Sequence, residues 1–177
     1  MGRRDAKIAK SASNYTGDKM TDDKALREHV LFLLKDGGAH LSFETAIKGL
    51  PVALRGKRPK GAAHSAWEIL EHMRLALWDI LEFTRDPKHV SPKWPEGYWP
   101  EKPVPPSDRA WSKSVAAFRK DFEAMCQLVE DPSTDLFAKI PHGTGQTLLK
   151  EVLLVADHNS YHLGELVAVR RLLGSWK

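Results

Sequence analysis

One cysteine, Cys126, is all that a chain of 177 residues contains. This excludes an internal disulfide framework and removes one reason to expect secretion. No apolar run approaches the ~18 residues that a membrane span requires. The N-terminus has no apolar signal core either, so the expected location is the cytoplasm, with no membrane partner. Internal repeats are missing, and no run of alternating residues argues convincingly for a sheet. A composition of 42% hydrophobic against 28% charged residues is that of an ordinary globular protein. The length suits one domain with a sizeable core.

A strong excess of one charge is also lacking, despite a net +4. Residues 1–20 hold Arg3, Arg4, Lys7, Lys10 and Lys19 against Asp5 and Asp18. Five minus two is +3, which leaves only +1 for the remainder. A short basic tail on a nearly neutral domain argues against a nucleic-acid partner. The expected organisation is a flexible basic tail over 1–20 and a single domain over 21–177.

What the chain does have is helical periodicity. Thr21 can cap a helix running to about Lys35, buried through Leu26, Val30 and Leu33 and followed by Gly37-Gly38. A short helix from about Ala39 to Lys48 follows, and Pro51 stops it. Arg55, Lys57, Arg58 and Lys60 lie in a loop that could meet an anion, although a solvated loop explains them as well. Ser65-Ala66-Trp67-Glu68 has capping-box spacing and opens a helix that Asp86-Pro87 ends near Thr84. Its inward stripe is Ala66, Leu70, Met73, Leu77 and Ile80, widened by Ile69, His72, Ala76 and Phe83.

Seven prolines fall between Pro87 and Pro106, so this stretch cannot be helix. Trp94, Tyr98 and Trp99 within it are too large to stand freely in water. The stretch reads as an ordered loop across the bundle, either a plain strap or a cover for a pocket mouth. Ser107 caps the next helix, about Asp108 to Glu130. Its set Trp111, Val115, Phe118, Phe122, Met125 and Val129, spaced 4, 3, 4, 3, 4, is a core stripe. Cys126 beside it reads as a small buried apolar residue, because this helix has no histidine to activate a thiol. After a linker over 131–145, Thr144 or Thr147 caps a last helix that runs to Leu173 before Gly174. Four main helical segments imply an all-α, antiparallel four-helix bundle.

The last helix carries the most chemistry. His158 and His162 are one turn apart, so both imidazoles leave one face within reach of a common metal ion. Glu151 and Glu165 extend that stripe, and Leu154, Val155 and Val169 flank it, which marks it as inward-facing. Hydrogen-bonded core histidines or a surface pair are the alternatives to metal ligation. Among the other histidines, only His72 lies on the inward face of a long helix, where a histidine taken alone is more often a satisfied structural residue. His29 sits one position before Val30, while His40, His64, His89 and His142 fall at loops or helix starts. Three neutral imidazoles around a divalent ion would leave a coordination position open and preserve the ion's charge. Nitrogen ligands suit zinc, nickel, copper or iron. Glu151 and Glu165 are candidates to orient the imidazoles. Glu165 has three further options: ligand, general base, or ion-pair partner of a Lys or Arg.

At Trp67-Glu68-Ile69-Leu70-Glu71-His72-Met73 and at Asp157-His158-Asn159-Ser160-Tyr161-His162-Leu163-Gly164, the chain resembles the DinB-like superfamily of metal-binding four-helix bundles. The helix order over about 21–174 agrees. Trp94 to Pro100 resembles a subgroup without an assigned activity. The resemblance implies that His72, His158 and His162 bind a zinc- or nickel-like divalent ion and that the protein is a homodimer. Active members include thiol-dependent S-transferases and maleylpyruvate isomerases. Glu165 departs from the family, which often has Gln there. The leading expectation is a metal-dependent enzyme that activates a low-molecular-weight thiol for transfer to a small electrophile. A hydrolase with Glu165 as base is the second, and a non-enzymatic metal- or ligand-binding bundle the third.

Overall fold

The computed structural model describes residues 23–35 and 38–176. The basic tail over 1–20, the Thr21 cap and Gly37 lie outside them. Every regular element among the described residues is helical: α1 (23–35), α2 (Phe43–Ile47), α3 (Ala66–Arg85), α4 (Asp108–Glu130) and α5 (Leu148–Leu172). Short 3-10 turns lie at Val52–Leu54 and Glu96–Tyr98. The nearest approach to a strand is an isolated bridge between Lys139 and Thr147.

The helix starts follow from local chemistry. Ser65 accepts the backbone N–H of Glu68 while the Glu68 carboxylate accepts that of Ser65, a reciprocal capping box. Ser107 accepts from Ala110 N–H and Thr147 from Lys150 N–H. Gly174, at φ +67°, turns the chain out of α5 where an L side chain would be strained. α2 is shorter than its sequence suggests, because Ser42 caps it only at Phe43.

Residues Leu70, Met73 and Leu77 of α3 are buried with Met125 and Val129 of α4 and Val152, Val155 and Leu166 of α5. Burying one such side chain contributes roughly 1.5–3 kcal/mol. Cys126 belongs to this interior, and burial pushes its thiol up to about 11. Two details differ from the periodicity. Leu33 and Leu154 are each 40% exposed; Leu34 packs against the core in place of Leu33. His29 is exposed.

Helix directions explain the long proline-rich connection. Trp67 and Trp111, each in the first turn of its helix, lie 6.4 Å apart, and Arg55 just before α3 reaches Asp108 at the start of α4. α3 and α4 therefore begin at the same end of the bundle. Phe83 near the end of α3 meets His142 just before α5, whereas His64 before α3 meets Glu165 late in α5, so α3 and α5 are antiparallel. α1 runs antiparallel to α4. The chain must travel back along α3 before α4 can start, and residues 86–107 do this. His89 bonds Asp79 at 2.7 Å, Tyr98 bonds His72, and Ser65 Oγ donates to the Pro103 carbonyl. Gly56 accommodates the end of this return path, since a Cβ there would run into Val104. Trp94 is 70% exposed, against the expectation that all three aromatics of the segment would be covered.

Arg27 is buried and ties α1 to the end of α4. Its guanidinium donates to the carbonyls of Val129 (2.8 Å), Asp131 (3.0 Å) and Thr134 (2.6 Å), and its Nε to Asp23 (2.7 Å). A cation at a helix C-terminus satisfies carbonyls that have no partner within the helix. Arg27→Met should cost about 2–3 kcal/mol in urea unfolding, because buried carbonyls lose charge-assisted bonds. A loss below about 0.5 kcal/mol would mean that water replaces the guanidinium freely.

Candidate metal centre

His72 leaves the second turn of α3, and His158 and His162 leave successive turns of α5. The antiparallel α3–α5 pairing brings the three together. One ring nitrogen from each lies within 4.8 Å of the other two, and Nε2 of His72 is 3.0 Å from Nε2 of His158. His72 and His162 are buried and His158 is half-buried.

The partners on the far side of two rings fix which nitrogen is bare. His72 Nδ1 lies 3.0 Å from the Tyr98 carbonyl oxygen, which can only accept, so Nδ1 carries the proton. His162 Nδ1 lies 2.9 Å from Glu165 Oε2. Hydrogen bonding from His162 holds the Glu165 carboxyl below its ordinary range against the opposing effect of burial, with a further bond from His64. Glu165 is therefore an ionised acceptor, and His162 Nδ1 donates to it. His72, held neutral by burial, keeps an Nε2 lone pair and aims it at the cluster. Two nitrogens bound to one tetrahedral ion at ~2.1 Å would be roughly 3.4 Å apart. Three imidazole nitrogens grouped at about this spacing fit a cation.

Burial lowers the pKa of His72, opposed by its bond to Tyr98 and reinforced by His162 and His64. Burial first, then His162 and His72, pushes His158 down to about 3. Neutral imidazole is the form that can ligate a metal, and burial keeps His72 and His158 in it.

Several parts of the site were not legible as such. His64, which seemed to belong to a helix approach, donates through Nδ1 to Glu165 Oε1 at 2.9 Å. Glu165 thus bridges His64 and His162. Trp99 stacks on His72 at 4.0 Å and 1° and on His64 at 4.0 Å and 17°. Tyr98, buried beneath, donates its hydroxyl to Asp79 at 2.6 Å, and burial followed by Asp79 pushes it up to about 12. The proline-rich stretch therefore covers the histidines and also supplies the carbonyl that orients one of them. Its proximity to His72 follows from its return path, which no local pattern encodes. Glu151, expected to orient an imidazole, is buried against Lys150 Nζ at 2.9 Å instead.

A family model described as the DinB superfamily matches residues 40–166, well over half of the chain. No curated protein and no solved structure matches.

His72→Ala, His158→Ala and His162→Ala should each abolish stoichiometric binding of zinc or nickel, read by elemental analysis and calorimetry. Glu165→Gln should retain it with about tenfold weaker affinity, the scale of an orienting partner. Full retention in His72→Ala would return that residue to the core. The metal-free protein should also lose stability in acid. His158 is charged in the unfolded chain below about pH 6.5 but neutral in the fold down to about pH 3. Its contribution is present above pH 6.5 and lost as pH falls towards 3, because the unfolded chain then binds more protons. His158→Gln should flatten that slope in thermal melts; an unchanged slope would remove His158 as its source.

Proposed function

The chain belongs to the DinB superfamily, and from that premise we propose a divalent-metal enzyme that activates a small thiol for transfer to a small electrophile. Zinc or nickel is the metal that the reading favours, with His72, His158 and His162 as its ligands. The observation that supports it most is the convergence of the three imidazoles, with Tyr98 and Glu165 fixing the protons of two of them on the outer nitrogen. A divalent ion on three neutral imidazoles would keep its charge and an open position, and so lower the pKa of a bound thiol or water.

The chain's own groups supply position and shielding. Tyr98 and Glu165 set the planes of His72 and His162. Trp99 lies flat against His72 and limits access of water from the side of the proline-rich segment. Glu165 suits a positioning role better than that of a general base. Both of its oxygens are engaged by histidines, and its lowered pKa makes it a weak proton acceptor at neutral pH. This favours thiol transfer over metal-assisted hydrolysis, where a free base would assist the attacking water.

A small-molecule partner accords with the charges. Arg55 of the basic loop pairs with Asp108, and Arg58 with Glu68, so half of that loop's cations are already matched. A second copy of the chain suits the outer face of α5, where Leu154, Tyr161 and Leu172 are exposed in one strip with the small residues Gly164 and Ala168. Ala168→Glu should convert such a dimer to monomer in sedimentation; a wild type that sediments as a monomer would refute the dimer.

The reaction is tested with metal-loaded protein, a panel of low-molecular-weight thiols and a model electrophile. Thioether formation should depend on metal and fall at least about 100-fold in His162→Ala, the scale on which nucleophile activation operates. Glu165→Gln should keep more than about a tenth of the rate. Metal-dependent ester or amide hydrolysis without thiol transfer would favour the hydrolase.

A further inference from the structure

A second cavity lies on another side of α5. It has a volume of about 240 Å³ and is lined by Phe43 of α2, Phe118 and Phe122 of α4, and Ala156, Asn159 and Leu163 of α5. Residues 156, 159 and 163 share one helix face. At ~100° per residue, that face is roughly 125° round the helix from the face of His158, His162 and Glu165. The cavity is therefore separate from the histidine cluster.

The polar groups around this cavity are committed, with one exception. His40 has its ring nitrogens against the Leu41 carbonyl and the Ser160 hydroxyl, at 2.9 and 2.7 Å. Ser42 bonds Thr45. Glu44 and Arg119 form a two-pronged ion pair at 2.6 and 2.5 Å, Lys35 holds Glu130, and Glu123 accepts from Gln127. Asn159 is only 7% exposed, and its amide bonds to no described residue. Its amide atoms are not sealed off but open onto the cavity, so a ligand group seated there can take the place of water against them.

The remaining wall fixes the rest of the ligand. Phe43 and Phe118 are stacked at 4.1 Å, Phe118 and Phe122 are nearly parallel at 6.0 Å, and these three rings share the apolar wall with Leu33, Leu34 and Leu163. A cavity of ~150 Å³ can hold benzene, so 240 Å³ suits two fused rings. Charged ligands are disfavoured, because the nearby ions are already paired and the unspent polar group is a neutral amide.

We propose that this cavity binds a small, neutral, two-ring aromatic molecule that carries one hydrogen-bonding group, with Asn159 as the recognising residue. The site is independent of the metal-dependent reading above.

The test titrates full-length, metal-loaded protein with 2-naphthol, using the charged analogue 2-naphthoate for comparison, followed by calorimetry and amide chemical shifts. Saturable binding of 2-naphthol below about 1 mM is expected, with 2-naphthoate about tenfold weaker or worse. Shifts should centre on residues 118–122 and 156–163. Asn159→Leu should weaken 2-naphthol about tenfold, and Ala156→Phe should block it, both with the metal content unchanged. No saturation by about 1 mM would overturn the proposal. So would equal binding by Asn159→Leu, or shifts centred on His72 and Trp99. If Ala156→Phe does not fold, the shift map and Asn159→Leu decide the matter without it. Loss of metal binding or thiol transfer in the histidine variants, with 2-naphthol binding intact, separates this site's fate from that of the metal centre.

Discussion

A buried imidazole has two nitrogens, and each must be accounted for. In this fold that requirement orders the centre. The Tyr98 carbonyl takes one proton of His72, and the Glu165 carboxylate takes one from His162. Once those partners are set, His72 is left with an unprotonated Nε2, 3.0 Å from Nε2 of His158. Uncompensated, such an arrangement would be unfavourable in a low-dielectric interior. A cation between the rings would relieve it. The depressed pKa of His72 and His158 follows from the same burial, so one cause keeps both rings in the unprotonated form that a metal could use.

The bundle's connectivity supplies the partners. Because α3 and α4 start at the same end, the connection between them must retrace α3. A chain segment laid along a helix can touch it at several levels, and this one does so at Asp79, His72 and Ser65. Prolines suit the task because they keep the segment extended without requiring helical hydrogen bonds. The aromatic side chains give it adhesion. Tyr98 is anchored by Asp79, and Trp99 by stacking on two histidines. The strap and the cover considered from the sequence are thus one object.

The two faces of α5 show how a single helix can serve different chemistries. His158, His162 and Glu165 face the centre covered by Trp99. Ala156, Asn159 and Leu163 face a phenylalanine-lined cavity toward α2 and α4. The core side chains Val155 and Leu166 lie between them. Helical periodicity makes this possible, because neighbouring residues point in different directions. Asn159 adjoins a candidate ligand in sequence, yet opens onto another compartment.

Much of the architecture was legible along the chain. Hydroxyl caps at Ser65, Ser107 and Thr147, and apolar spacing on α3 and α4, are local signals, and the described helices follow them closely. Histidines one turn apart on α5 were also local, because helix geometry alone puts them on one face. Tertiary structure decided the rest: His72 as their neighbour, His64 as the second partner of Glu165, and the backbone carbonyl of Tyr98 behind His72. It also sent Glu151 to Lys150 and left Leu33 and Leu154 partly in water. The reason is physical. Caps and periodicity act over one or two turns, whereas the contacts that assemble His72, His64 and Glu165 join residues from 26 to 101 positions apart, through helix directions and a return path set by the packing of the whole chain.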